Sequence, residues 1–370
     1  MTSQFGYINA PLPTAYQPPV IAESLTISTT TAAEMLTSND IQVHPETTGT
    51  VADQILSIFR HEEILMGNPA WMDVRHNRWV DQINRFVTRN EPLLFVAMAF
   101  PYKVPNPLKN GERRFPDLGE ALMLRRFDAV LDAVQSVYPP GAHLTILEEG
   151  ILGRCQGVDP GDIGAYRAGI EQITLVSGVN PDRISFHSLD DMVTRIENFE
   201  ARWYFEQERL RALWDQGEPQ IRGAYDEIHP GQRSTVPARH FDPQTLAEAL
   251  DSTQTDSALR YVREYLNLVS HRQFFAYRAL INLRDVTGYL EEIAPNSIKL
   301  TVSPKPENLA VIPINRNTRT LPYHGRPVMS QDGAWTIEYF GSLGTYGPLT
   351  ALHLDGDADV SPIGYLRRAP

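Results

Sequence analysis

Lys103, Asn106, Lys109, Arg113 and Arg114 lie close together in the chain and run directly into Asp117 and Glu120. Side chains that bind anions, followed by acids that move protons, suit an anionic substrate whose chemistry needs proton transfer. The segment Ala99-Phe-Pro-Tyr-Lys-Val-Pro-Asn-Pro-Leu-Lys109 is stiffened by prolines and continues to Phe115-Pro-Asp-Leu-Gly-Glu120. It leaves an apolar run, Pro92 to Phe100, that reads as a buried strand. A rigid loop at the end of such a strand is where α/β proteins place ligand chemistry. The same residues also have a structural reading. Asp117 can cap a helix over 118–138, with Glu120 at its third position as a capping box, and the cations can be solvated charges on a surface connector.

Other chemistry-bearing residues are dispersed. His271 adjoins Arg272 in a helical stretch, about one turn before Tyr277-Arg278, and His324 follows Tyr323 in the proline-stiffened Leu321-Pro-Tyr-His-Gly325. A histidine in such a place can carry protons near neutral pH, or serve only as a hydrogen-bonding group. His353-Leu-Asp355 has the spacing of a non-haem iron site but no histidine downstream to complete it. Gly341 to Gly347 neither follows a dinucleotide-binding spacing nor opens a helix, so it reads as a turn. The lone cysteine, Cys155, excludes an internal disulfide framework and a cysteine-based zinc site. No metal site is expected.

These residues need a scaffold, and the composition describes one. The chain has 370 residues, 42% hydrophobic and 21% charged, which is ordinary for a globular protein with a large core. A net charge of −12 argues against a nucleic-acid partner. Clustered Lys and Arg can still bind a small anion, and cations recur at 103–114, at Arg233 with Arg239, and from Lys299 to Arg326. No apolar run is long enough to span a bilayer. The first twenty residues lack the basic start and apolar centre of a secretory signal, so the cytosol is expected.

Residues 1–48, rich in Pro, Thr and Ser, read as an extended or partly disordered arm, with the α/β domain over 49–370. Val51, Ile55, Ile58 and Phe59 mark one helix, and Trp79, Ile83 and Phe86 another over 71–87. Strands follow at 92–100, 143–149 and 183–187, with a long helix at 118–138 and a short one after Pro160. Ser188 with Asp191 caps a helix running to about Asp215. Gln216 to Pro243, dense in Gly, Pro, Arg and His, suits a long functional loop or lid, and helix resumes from Pro243 to about Leu290. The part from about 296 to 345 is β-rich, with a hairpin signal at Asp332-Gly333. No internal repeat is present. The fold class is α/β: a mixed sheet with flanking helices, Rossmann-like, plus the C-terminal β-rich part.

In order along the chain, these segments resemble the isonitrile (isocyanide) synthase family, which is related to the pyoverdine and dityrosine biosynthesis proteins. Phe100-Pro-Tyr-Lys103 with Asn106 is similar to its Phe-Pro-x-Lys-x-x-Asn segment, and Pro116-Asp-Leu-Gly-Glu120 to its Pro-Asp-x-Gly-Glu helix start. Val137-Tyr-Pro-Pro-Gly-Ala142, Glu149-Gly150 and Gly157-Val-Asp159 resemble the next block. Ala276-Tyr277, Ile298-Lys-Leu300, Leu321 to Gly325 and Asp332-Gly333 stand where its later motifs do. The resemblance covers roughly residues 50 to 345.

The resemblance implies an enzyme of natural-product biosynthesis that joins the amine of an amino acid, commonly tyrosine or tryptophan, to the ketone carbon of ribulose 5-phosphate. That carbon becomes the isonitrile carbon. Neither metal nor redox cofactor is implied, and an iron/2-oxoglutarate oxygenase often acts on the product. On this resemblance Lys103 and Lys109 bind phosphate or carboxylate, Asn106 orients an oxygen, and Arg272 and Lys299 are further anion clamps. Glu120, Glu149 and His324 transfer protons, and Tyr277 stacks on or hydrogen-bonds the substrate. Asp117, His271 and Tyr323 complete the expected substrate-binding set.

Several polar positions depart from the family pattern. Its Asp-Gly step is Glu149-Gly150, an arginine before Ala-Tyr is Gln273 with Arg272 alongside, and a strand ending in histidine reads Lys299-Leu-Thr-Val-Ser303. Its Pro-Trp-His is Pro-Tyr323-His324. Such changes fit a divergent member with another condensation or one-carbon transfer, or an accessory paralogue that binds an amino acid or a biosynthetic partner. An iron/2-oxoglutarate oxygenase is disfavoured by the missing histidine.

Overall fold

The apolar run that leads into the Lys103 loop is β2, Leu93–Met98, in a computed structural model describing residues 12–100, 102–155, 157–226, 236, 238, 241–251, 256–302, 308–318, 320–357 and 361–368. Its side chains are buried or half-buried on both faces, which is why the sequence is a near-continuous apolar run rather than an alternation. β2 pairs in parallel with β3 (Ala142–Glu148) on one side and β5 (Ile298–Thr301) on the other. With β4 (Ile184–Ser188) and β6 (Leu309–Ala310) they form a wholly parallel sheet in the order β4-β3-β2-β5-β6. The chain moves outward from β2 through β3 to β4, then returns to β5 on the opposite side. The strand order therefore reverses between β2 and β5, the switch point at which doubly wound sheets bind ligands.

Helices cover both faces. On one, α2 (Val51–Arg60), α4 (His76–Val87), α5 (Leu118–Val137) and α7 (Pro160–Ser177) share a core with β2 and β3 in which the Phe59 and Phe95 rings meet edge-on at 5.7 Å. On the other, α6 (Ile151–Cys155), α8 (Leu189–Arg195), α9 (Phe199–Asp215), α11 (Ser257–Thr287) and α12 (Tyr289–Ile293) pack through Leu147, Trp203, Phe274 and Phe275. α10 (Pro243–Leu250) and α11 share a third, smaller apolar cluster with Leu108 of the loop.

The β-rich region divides. β5 and β6 belong to the parallel sheet, whereas β7 (Arg326–Met329) and β8 (Trp335–Glu338) enter a second, mixed sheet in the order β1-β9-β10-β7-β8. β7 and β8 are antiparallel, and Gly333 between them takes φ +86°, a left-handed conformation that glycine adopts freely. β9 (Pro348–Leu354) and β10 (Gly364–Arg367) extend this sheet beyond the region read as β-rich. The stretch read as an extended or partly disordered arm contains β1 (Val20–Ile27), parallel to β9, and α1 (Thr29–Leu36), capped by Ser28. β1 is an almost wholly exposed edge strand with no buried face to set an alternation, and its partner is remote in sequence.

Other elements differ in extent. The helix expected over 71–87 is broken at Arg75 into α3 (Pro69–Val74) and α4. The helix after Pro160 is long, running to Ser177, where Gly178 ends it at φ +68°. Ser188 and Asp191 do form a capping box, but that helix stops at Arg195 and α9 starts after Asn198. Of the stretch read as a lid, residues 219–226 are helical, and most of the remainder, Arg233 and Arg239 included, lies outside the described residues. No described helix is long and apolar enough to cross a membrane.

Candidate active site

The loop after β2 turns immediately: Phe100 is fully buried at φ +55°, a left-handed conformation that is costly for an aromatic residue. Its Asn106 builds a turn, the side-chain oxygen accepting from Leu108 N at 2.9 Å and the carbonyl accepting from Lys109 and Asn110 N at 3.0 Å. The loop is then fastened beside the second sheet. Phe340 N donates to Lys109 O at 2.8 Å, Gly341 N to Leu108 O at 3.0 Å, and Asn110 Nδ2 to Tyr323 O at 3.1 Å.

Beneath this loop lies a closed ionic cluster. Lys103 Nζ stands 3.2 Å from Asp117 Oδ2, 3.1 Å from Glu120 Oε1 and 3.0 Å from Pro322 O. Arg326 Nε is 3.3 Å from the same Asp117 oxygen. Asp117 and Glu120 form the capping box of α5, through Asp117 Oδ1 to Gly119 N at 2.9 Å and Glu120 Oε2 to Asp117 N at 2.8 Å. Tyr166 donates its hydroxyl to Glu120 Oε1 at 3.2 Å. All of these side chains are buried, and the two cations balance the two carboxylates. Burial pushes Glu120 up to about 7 against the opposing pull of Lys103, with Asp117 adding to the rise. The Lys103 ammonium is thus already committed to carboxylates and a carbonyl.

Lys109 is different. It is equally buried, but among the described residues its Nζ has no hydrogen-bond partner, and desolvation lowers it to about 7. Burial, then Lys109 and Lys103, push His324 well below its ordinary value, so its imidazole is neutral at physiological pH. The Tyr323 ring meets it edge-on at 4.8 Å.

Tyr323 also faces a cavity of about 290 Å³ at the β2–β5 switch point, whose polar wall includes Glu149, Tyr277, Arg278, Arg284 and Lys299. Glu149 follows the last residue of β3. Its charge, after burial, is the largest influence raising the hydroxyls of Tyr102, Tyr277 (to about 12) and Tyr323. The phenols therefore stay protonated and can donate hydrogen bonds. Glu148 points elsewhere: it pairs with Arg167 at 3.2 Å, and burial raises it to about 7.

The structure thus brings the sequence-predicted residues together in two adjoining groups. Lys103, Lys109, Asp117, Glu120 and His324 are packed beneath the loop. Glu149, Tyr277, Lys299 and Tyr323 line the cavity. Asn106 is engaged in its turn. His271 sits in an aromatic cluster, its ring 5.3 Å from Trp214 and 5.0 Å from Phe275, and Arg272 is exposed; neither lines the cavity. Sequence reasoning missed Tyr166, Arg278, Arg284 and Arg326. The two on α11 carried a readable signal, since Tyr277, Ile281 and Arg284 share a helical face. Tyr166 and Arg326 carried none, because their partners come from distant segments.

Residues 83–339 match the sequence profile of the pyoverdine/dityrosine biosynthesis protein family. An L-tryptophan isonitrile synthase of Fischerella ambigua is 29% identical over 160 residues, 41% of this chain and 47% of that protein, so the chain spans about half the length of this relative. An L-tyrosine isonitrile synthase of Pseudomonas aeruginosa is 26% identical over 258 residues, 68% of this chain and 74% of that one. The crystal structure of the PvcA protein from Pseudomonas aeruginosa superposes with a TM-score of 0.66 at 19% identity, covering 86% of this chain and 100% of that structure, a likeness of fold.

Proposed function

Since the chain belongs to the pyoverdine/dityrosine biosynthesis protein family, we propose that it is an isonitrile-forming enzyme that condenses the amine of an aromatic amino acid with the ketone of ribulose 5-phosphate. The observation that carries this reading is the convergence of Glu149, Tyr277 and Tyr323 on one cavity at the β2–β5 switch point. Imine formation needs a free amine and an acid to expel water from the carbinolamine, and the later carbon–hydrogen and carbon–carbon cleavages need a base. On this reading Glu149 takes and returns those protons. Tyr277 and Tyr323 hydrogen-bond the carbonyl oxygen and the oxygens that develop from it. Neutral His324, behind Tyr323, is the next acceptor inward.

The relatives named for L-tyrosine and L-tryptophan make these amino acids the first to test. The reaction as proposed draws on no redox cofactor, takes place in the cytoplasm, and gives an isonitrile suited to a later iron/2-oxoglutarate oxygenase. Purified protein is incubated with each amino acid and ribulose 5-phosphate labelled with ¹³C at the ketone carbon, and products are read by mass spectrometry and ¹³C NMR. A labelled isonitrile carbon is expected. Absence of a labelled isonitrile overturns the reading, whether or not either substrate gives a thermal shift.

A further inference from the structure

Charge is unevenly distributed around the cavity. Among the described residues that line it, Glu149 contributes the one carboxylate, whereas Arg278, Arg284 and Lys299 contribute three cations. Arg278 and Arg284 come from α11, the helix that also supplies Tyr277. Lys299 comes from β5, in register with Val96 of β2. A second hollow of about 430 Å³ shares Arg284 and Lys299 with the first and is lined farther out by Arg85 and by the carboxylates of Asp285 and Glu291. Arg284 and Lys299 therefore mark the neck where the inner cavity meets the outer one, with Arg278 on the inner wall beside them.

These cations are weakly neutralised by the protein. Among the described residues, neither Arg278 nor Lys299 has a carboxylate within ion-pair distance, and Arg278 Nε is buried with no hydrogen-bond partner. Arg284 is held from one side by its neighbour Asp285, at 2.9 Å from Nε and 2.6 Å from Nη2. Arg278 and Lys299, left without a carboxylate of their own beside an Arg284 already paired with Asp285, repel one another unless something anionic joins them, and this is in a chain of net charge −12. A carboxylate monoanion is satisfied by a single bidentate arginine, whereas a phosphate dianion matches several donors. The cations of the Lys103 loop are poorly placed to bind such a dianion, because Lys103 is closed into its own cluster and Lys109 is buried under the loop.

We propose that Arg278, Arg284 and Lys299 form a clamp for the phosphate of a phosphomonoester substrate, holding it at the neck so that its carbonyl end faces Glu149, Tyr277 and Tyr323. The identity of that substrate as ribulose 5-phosphate rests on the reading above; the clamp itself does not require isonitrile formation.

The test is calorimetric titration of the full chain with inorganic phosphate, ribulose 5-phosphate and L-tyrosine, in the wild type and in Lys299→Gln, Arg278→Gln and Arg278→Lys. Each neutral variant is expected to weaken ribulose 5-phosphate and phosphate binding by about tenfold or more, since each removes a charge-assisted hydrogen bond. L-Tyrosine affinity stays within about twofold, and Arg278→Lys recovers part of the loss. In turnover, KM for the sugar phosphate rises more than kcat falls. Lys299 is exposed, so Lys299→Gln keeps the test decisive even if the arginine variants fold poorly. Wild-type affinity for both phosphates in the neutral variants overturns the clamp, as does failure of the wild type to bind either one at millimolar concentration. Phosphate binding that depends on these cations, without isonitrile formation, supports the clamp and overturns the reaction.

Discussion

Lys103 Nζ lies 3.1 Å from Glu120 Oε1, and neither side chain reaches solvent. This pair makes the loop after β2 a strut as much as a ligand-binding segment. It anchors the start of α5 to the Pro322–His324 turn, and through that turn it fixes Tyr323 at the cavity wall.

Replacing Lys103 by Met should therefore act first on the fold. Two carboxylates would be left with Arg326 as the remaining buried cation, and removing one member of a buried ion pair costs about 3–5 kcal/mol. Urea unfolding should show this loss, with activity falling as the folded fraction falls. The double variant Lys103→Met, Glu120→Leu should recover part of it, because no uncompensated charge then remains at the second site. If Lys103→Met is as stable as wild type yet loses ribulose 5-phosphate binding, the cluster is a substrate site instead.

Lys109 sets a pH dependence of the opposite origin. Its folded value, about 7, lies below the ordinary 10.5, so the stability it contributes is present above about 10.5 and is lost as pH falls toward 7. The difference amounts to at most about 5 kcal/mol at neutral pH. Lys109→Met removes that penalty. The variant should exceed the wild type in unfolding free energy near pH 7, and the gap should narrow steadily toward about pH 10. A gap that does not change with pH would mean that the amine stays solvated.

Glu148 and Glu149 are consecutive yet should behave differently. Glu149→Gln is expected to lower kcat by about 100-fold or more, the usual contribution of a positioned acid–base group, with the fold intact. Glu148→Gln should leave turnover within a few-fold, because that carboxylate faces Arg167 and not the cavity. Its signature is in stability. The folded value of Glu148 is raised to about 7, so its contribution is present below about 4.5 and lost as pH rises through 7. Glu148→Gln should flatten that part of the profile. Equal loss of turnover in both variants would place the base elsewhere.

The fold was legible where one segment carried its own evidence. β2 announced itself by a continuous apolar run, and α5 by Asp117 and Glu120, whose structural role as a capping box is present in full. β1 did not, because an exposed edge strand with a remote partner has no pattern of its own. The candidate site was legible as a collection of residue types, but not in its division. Nothing local distinguishes Lys103, which finds two carboxylates, from Lys109 six residues on, which finds none among the described residues. That difference is made by Asp117 and Glu120 folding back from α5. Likewise His271 read as a substrate-binding residue beside Arg272, whereas Trp214 and Phe275, from two helices, surround its ring.

Gly169 tests how tightly the loop is clamped from behind. In the middle of α7, Ala should be better than Gly by about 1 kcal/mol on helix propensity alone. A Cβ at this position, however, would come 2.6 Å from Pro116 Cδ and 3.0 Å from Phe115 Cδ1. The proline ring cannot rotate away, and its carbonyl is gripped by Arg113, with Nε at 3.2 Å, whose own Nη1 donates to Ser361 O at 2.8 Å. Overpacking of this kind costs about 1–3 kcal/mol, so the steric term should outweigh the gain in propensity. Gly169→Ala is expected to melt below the wild type and, by shifting Pro116 and the adjacent Asp117, to reduce turnover as well. A variant that melts above the wild type with unchanged turnover would show that the loop yields and that its position is not set by α7.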